Sequence, residues 1–354
     1  MLDLAADAAA LTAALVDVES VSGSEAELAG LVEQALRALP ALQVERAGNV
    51  VLARTELGRD QRVVLAGHLD TVPLAGNVPS RLVDGVLHGC GTADMKSGLA
   101  VMLRVAYLVG TGAVDPRVDL SWICYDCEEI EAARNGLGLL AATRPEVLHG
   151  ELAILLEPTD GAVEGGCQGT LRVVVHGRGV RAHSARSWLG ANAIHAVAPV
   201  LSRLAAYHAR VVEVDGLTYR EGLNAVAIAG GVAGNVIPDE CAVTVNYRFA
   251  PDRCEADALA HVRDVFDGFE LEVTDSAPAA RPGLDTPVAA AFVAAVGGEA
   301  RGKLGWTDVA RFGQVGVPAV NFGPGDPNLA HKPEEHVALS RILAAEQALV
   351  RFLS

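Results

Sequence analysis

Three apolar runs, at 62–67, 118–125 and 152–156, each stop where polar chemistry begins. His68 and Asp70 follow the first, Asp126, Glu128 and Glu129 the second, and Glu157 the third. Runs this short and this apolar read as buried strands. Open α/β sheets hold their ligands in the crevice beyond the carboxyl ends of such strands. The pattern therefore predicts an α/β fold and the place of its site together. A chain of 354 residues with 51% hydrophobic content is long enough for a large core and about two domains.

The remaining periodicity fills in the architecture. Helical spacing appears at 4–18 and 24–39, the second with Ser24 as N-cap and Pro40 as stop, and again at 95–109, which puts Asp94 at a helix start. From about Gly169 the pattern changes to longer alternating strands at 171–177, 223–229, 242–249 and 269–274, with helices at 191–209 and 254–266. This block reads as an α+β insertion, with 278–282 as the return linker, the strand 318–322 and a closing helix at 339–353. The expected division is one domain of residues 1–168 and 280–354 and another of residues 169–279.

The polar residues at the strand ends, with Asp94 and His331, form a ligand set for two metal ions. In an extended segment, side chains two apart share a face, so Asp70 is placed to accept the second ring N–H of His68 and fix its tautomer. Glu128 and Glu129 are adjacent and point in different directions, so one is free to ligate while the other faces a bound water as general base. Asp94 has two readings, a plain N-cap or a carboxylate bridging two ions. Charge favours the set: two zinc ions bring four positive charges, while Asp94, Glu129, Glu157 and a bridging hydroxide bring four negative ones.

Composition excludes other classes. A net charge of −16 argues against a broad nucleic-acid surface, which needs clustered Lys and Arg. The N-terminal segment lacks the basic flank of a signal peptide, and the longest apolar run, 99–109, is broken by Arg104 and falls short of the roughly 20 residues that span a bilayer. Six scattered cysteines suit reduced thiols, and the Cys124-x-x-Cys127 pair ends an apolar strand rather than opening a helix. The expectation is a cytoplasmic protein with no membrane or nucleic-acid partner.

The segments GHLDTVP (67–73), GTADMKSG (91–98), CEE (127–129), LEPTD (156–160), GNVIP (234–238) and AHKPEE (330–335) resemble, in order, the di-zinc aminoacylase and carboxypeptidase family. The resemblance implies a mixed-sheet di-zinc hydrolase domain with an inserted lid and dimerisation domain. By it, Asp94 bridges two zinc (or cobalt) ions, His68 and Glu157 complete one site, Glu129 and His331 the other, Glu128 is the general base, and Asp70 supports His68. His183, in the segment 181–195, matches a histidine that enters the partner subunit's site in a homodimer and stabilises the oxyanion. Asn235 and Arg248 fall where the family holds the substrate carboxylate, Arg186 is a second cationic anchor for a substrate bearing several carboxylates, and Thr307 and Gly323 fall where loops close the pocket. A glutamate at the position of Glu157 goes with deacylases and carboxypeptidases. The segments 125–138, 181–195 and 157–161 most resemble the actinobacterial branch that hydrolyses N-succinyl-LL-2,6-diaminopimelate to succinate and LL-2,6-diaminopimelate, on the route to lysine. The alternative substrates are acetylornithine or another N-acyl amino acid.

Overall fold

The protein is described here by a computed structural model covering residues 2–354. It divides into two compact units. The first comprises the chain up to Gly166, Pro282–Arg301 and Asp308–Ser354, and the second comprises Cys167–Arg281 and Gly302–Thr307. The second unit takes in residues 167–168 and 280–281 at its ends and one further segment beyond the expected division. Residues 302–307 join the second unit, where Gln168 N–H donates to the Lys303 carbonyl at 3.2 Å and the Cys167 thiol to the Thr307 carbonyl at 3.7 Å.

In the first unit, a mixed sheet runs in the order Gln43–Ala47, Val50–Arg54, Asp119–Tyr125, Arg62–His68, Leu152–Leu155 and Ala319–Asn321. The last four strands are parallel neighbours, and Val50–Arg54 is antiparallel to Asp119–Tyr125. Strands buried on both faces are what their unbroken apolar sequence requires. Helices Ala8–Val16, Lys96–Gly110 and Leu339–Leu353 bury Leu11, Leu15, Leu99, Met102, Ile342 and Leu349 against Val63, Leu65, Leu120 and Trp122. Two helix starts differ from expectation. The first helix begins at Ala8 because the Asp7 side chain accepts from Ala10 N–H. The second begins at Ala26, one residue after Glu25, and Ser24 lies outside it.

The second unit is a four-stranded antiparallel sheet in the order Gly222–Gly230, Glu240–Phe249, Gly169–Arg178 and Glu270–Ala277. Val173, Val175, Val243, Val245 and Phe249 pack with Val197, Val200, Ala258, Val262 and Phe266. The helix expected at 191–209 is divided into Ala193–Ala196 and Ala198–Ala205, with Pro199 at the start of the second. A proline has no N–H to continue the first helix, so the break falls just before it, at Val197. No described helix is long and apolar enough to cross a membrane.

Candidate metal centre

The site begins where the parallel strands of the first unit end. Leu69 N–H donates to the Tyr125 carbonyl at 2.7 Å, so the segment leaving Arg62–His68 stays alongside the segment leaving Asp119–Tyr125. His68 is fully buried, its ring edge-on to Tyr125 at 6.3 Å between centroids. Its Nδ1 lies 3.0 Å from the Asp70 carbonyl oxygen and 3.5 Å from Asp70 Oδ1, so the backbone oxygen is the nearer partner and fixes the tautomer. This refines the expectation that the Asp70 carboxylate alone orients the ring. The carboxylate chiefly straps down the next loop: Oδ1 accepts from Glu128 N–H at 3.0 Å, and Oδ2 from Glu129 N–H at 3.0 Å and the Ser22 hydroxyl at 2.7 Å. Burial opposes its charge, but the His68 bond and these two backbone N–H groups bring its pKa down to about 2.

Asp94 stands in a loop held by one buried acid. Glu335 accepts from Gly91 N–H at 2.9 Å, Ala93 N–H at 2.8 Å and Asp94 N–H at 2.9 Å, a concave set of backbone donors around one carboxylate. The Asp94–Met95 peptide is cis. Asp94 presents Oδ1 to His68 Nε2 at 3.2 Å and Oδ2 to His331 Nε2 at 3.6 Å. A simple N-cap would direct its oxygens at backbone N–H groups; here each oxygen faces a different imidazole, which is the disposition of a bridging carboxylate. His331 also lies 2.9 Å from Glu129 Oε2.

Of the four groups of donor atoms within 4.8 Å of one another among the described residues, His68–Asp94–Glu157 and Asp94–Glu129–His331 have Asp94 in common, His68–Glu128–Glu129 overlaps them, and Glu25–Asp126–Cys127 stands apart. The two that share Asp94 each offer one imidazole nitrogen and two carboxylate oxygens, so the chemistry of the set fits a pair of divalent cations with open positions for water or substrate. The charges show the same complementarity. Burial would depress the His68 pKa, but Asp70 and Asp94 raise it well above the ordinary value. Asp94 and Glu129 push His331 up to about 10. Asp94 itself is held low by His331 and His68 despite its burial. Glu128 has no imidazole hydrogen bond among the described residues; desolvation and the neighbouring Glu157 push its carboxyl well above the usual range, the direction a proton-transfer group needs.

Glycines let the walls of this site close. A Cβ on Gly98, in the first turn of Lys96–Gly110, would sit 2.8 Å from Leu156 Cβ and collide with the Leu156 carbonyl. One on Gly323 would collide with the Leu156 and Glu157 carbonyl oxygens. Gly323, expected in a pocket-closing loop, thus packs directly against the strand end that delivers Glu157. Its backbone is further tied to the Thr159 hydroxyl, at 3.1 Å from both N–H and carbonyl.

The other expected residues belong to the second unit. His183 and Asn235 are brought together: Ala182–His183 pairs with Val236–Ile237, and Ser184 N–H donates to the Asn235 carbonyl at 2.8 Å. His183 is exposed, and its Nδ1 accepts from Ala185 N–H at 3.0 Å, so a neutral ring carries its proton on Nε2, facing outward. Arg186 is exposed on the following turn. Arg248, on Glu240–Phe249, is half-buried, has no ion pair among the described residues, and its pKa is lowered by burial and by Arg172. Thr307 is buried, with its carbonyl taken by Cys167.

Sequence reasoning missed Ser22, Glu25 and Glu335. Glu25 is fully buried and accepts from Gly23 N–H at 2.7 Å and Cys127 N–H at 3.2 Å, supporting Cys127 at φ 56° just before Glu128. Cys124 and Cys127 are both buried, which raises their thiols to about 12 and about 11, away from the lowered value that favours a thiolate nucleophile. Only Glu335 had a signal, as the last residue of AHKPEE.

Residues 64–354 match peptidase family M20/M25/M40. The chain belongs to that family. Members are dinuclear metal enzymes, which accords with the two donor groups sharing Asp94. A Mycobacterium tuberculosis protein assigned as a succinyl-diaminopimelate desuccinylase is 58% identical, covering 100% of this chain and 99% of its own. The succinyl-diaminopimelate desuccinylase of Corynebacterium glutamicum is 50% identical, covering 100% and 98%. A tripeptidase structure from Staphylococcus aureus superposes with a TM-score of 0.80 at 20% identity, covering 100% of this chain and 98% of that one. At that identity the likeness is one of fold.

Proposed function

We propose that this M20 enzyme hydrolyses N-succinyl-LL-2,6-diaminopimelate to succinate and LL-2,6-diaminopimelate, in the cytoplasm, on the route to lysine. The observation that carries the reading is full-length identity of 58% and 50% to desuccinylases. His68, Asp94 and Glu157 would hold one divalent ion, and Asp94, Glu129 and His331 the other, with zinc favoured by the imidazole and carboxylate donors and cobalt accepted by the same set. When bound, such ions supply Lewis acidity and make water nucleophilic near neutral pH.

The chain's own residues do the rest. Glu128 takes the proton of the attacking water and returns it to the departing amine, for which its raised pKa suits it. Asp70 keeps Glu128 and Glu129 in register through their N–H groups. His183 offers Nε2–H to the developing oxyanion of the partner subunit's substrate. Arg248, free of any ion pair among the described residues, takes a substrate carboxylate, and Arg186 and Asn235, which flank His183, offer further polar contacts to substrate. Thr307 and Gly323 belong to the loops that close the pocket.

A homodimer through the second unit fits its surface. Gly222–Gly230 is an edge strand, and Val226 and Ile228 on it are 58% and 53% exposed. A long apolar edge of this kind favours pairing with another strand.

The test is turnover by the metal-loaded enzyme of N-succinyl-LL-2,6-diaminopimelate against N-acetylornithine. We expect kcat/KM to favour the succinyl substrate by roughly 100-fold or more, because a site built to bind a second carboxylate leaves cations unpaired without it. Chelation should abolish both activities and added zinc restore them. Equal or better turnover of N-acetylornithine would overturn the assignment.

A further inference from the structure

The donor group that stands apart, Glu25–Asp126–Cys127, joins two distant parts of the chain beside the loop that carries Glu128 and Glu129. Local structure explains why they meet. Asp126 and Cys127 follow strand Asp119–Tyr125, and Cys127 takes φ 56°, which turns the chain just before Glu128. Glu25 precedes helix Ala26–Arg37, and its Oε1 accepts from Gly23 N–H at 2.7 Å and Cys127 N–H at 3.2 Å. Gly136 makes room for Asp126: its N–H donates to the Asp126 carbonyl at 2.9 Å, and a Cβ on it would lie 2.2 Å from Asp126 Oδ1.

These contacts leave one oxygen over. Glu25 Oε2 is buried with no hydrogen-bond partner, on a side chain that has no exposed surface. A buried carboxylate oxygen is costly to leave unsatisfied, and a cation beside it removes that cost. The neighbouring thiol is placed to share such an ion. Cys127 Sγ lies 3.5 Å from Glu25 Oε1, close to the about 3.6 Å that separates a sulfur from an oxygen on one tetrahedral zinc with bonds of about 2.3 and 2.1 Å. Arg134 is the guanidinium at the rim. A Cβ on Gly23 would lie 2.7 Å from its Nη2, yet it is half-exposed, its ion pair is with Glu131 at 3.8 Å, and it makes no hydrogen bond to the free oxygen. A thiolate among the donors favours zinc over magnesium or calcium.

We propose that Glu25, Asp126 and Cys127 hold a third divalent ion, zinc, separate from the pair that shares Asp94. On binding, the Cys127 S–H bond breaks, the proton passes to solvent and the thiolate takes the ion, with no change of oxidation state. The ion ties residues 23–25 to the turn from which Glu128 and Glu129 leave, so it steadies the loop that supplies both a base and a ligand. The site does not depend on which acyl group the enzyme removes.

The pair that shares Asp94 has no sulfur donor, so thiolate-to-metal charge transfer tells the sites apart. Cys254 is exposed and the other five cysteines are buried, so Cys254→Ser serves as the parent enzyme. Titrated with Co²⁺, the parent is expected to take up a third equivalent, counted by equilibrium dialysis, and with it to gain a near-ultraviolet thiolate-to-cobalt absorption. Added zinc should displace that ion and remove the band. Cys127→Ser should lose the band and the third equivalent while keeping the other two, with melting temperature as the check on its fold. Asp126→Asn, which leaves the thiol in place, should keep the band but weaken the third ion about 10-fold. Saturation at two ions without a band at about 1 mM Co²⁺, a band that persists in Cys127→Ser, or an affinity unchanged in Asp126→Asn would each overturn the proposal.

Discussion

Glu335 supplies no donor atom to either candidate metal group, yet it fixes the residue common to both. Its carboxylate accepts three backbone N–H groups from the turn that presents Asp94. Glu335→Gln replaces one acceptor oxygen with a donor facing those N–H groups, so the turn loosens. We expect metal affinity to fall about 10–100-fold, measured by competition with a chromogenic chelator, with secondary structure unchanged. Glu128→Ala is expected to do the reverse, leaving metal content and melting temperature intact while kcat falls roughly 100- to 10,000-fold. A Glu128→Ala enzyme with near wild-type turnover would remove that residue from the proton-transfer role. The candidate donors that the structure brings together were legible in the sequence because each follows an apolar run or stands in a distinctive loop. Ser22 and Glu25 were not, because a buried carboxylate or hydroxyl that accepts backbone N–H groups leaves no periodic mark, and Glu335 was marked only by its place in the AHKPEE segment.

At the scale of elements, apolar runs and alternation gave the strands almost to the residue, as with 152–156 against Leu152–Leu155 and 242–249 against Glu240–Phe249. Helix starts were harder, since the caps depend on which side chain reaches which N–H, and the pattern at 191–209 concealed the break at Val197. Asp119 shows how one side chain stabilises the edge of a sheet. It accepts from the Thr55 hydroxyl at 2.6 Å, Leu57 N–H at 2.8 Å and Arg59 N–H at 2.9 Å, anchoring the segment between two strands. Burial raises its pKa, but these three donors outweigh it and hold the carboxyl below its ordinary value. A lowered folded-state pKa contributes stability above the unfolded-state value of about 4 and loses it as pH falls below that. Asp119→Asn should therefore cost about 1–3 kcal/mol at neutral pH and narrow that gap in acid, measured by urea unfolding at pH 7 and pH 3.

For the whole molecule, the proposed partner role of His183 has a test by complementation. A subunit carrying Glu128→Ala retains His183, and one carrying His183→Ala retains Glu128. If each site takes its histidine from the partner, mixed dimers recover one working site. Random exchange of equal amounts should then restore about a quarter of wild-type activity from two nearly inactive parents. No recovery, with subunit exchange verified by mass spectrometry, would place the histidine's action within its own subunit or remove it from the reaction.

The first unit is interrupted by the second along the chain, and this bears on how the protein is made. A ribosome releases Cys167–Arg281 as one continuous stretch, so that unit has almost all of its sheet and helices before synthesis reaches Pro282. The first unit must wait. Its strand Ala319–Asn321, the packing of Gly323 on Glu157, and His331 all emerge after the insertion. A nascent chain therefore holds His68, Asp94 and Glu157 long before it holds the partner ligand for Glu129. Only one of the two donor groups is complete until residue 331 has been added, so the second ion reports that translation has passed that point.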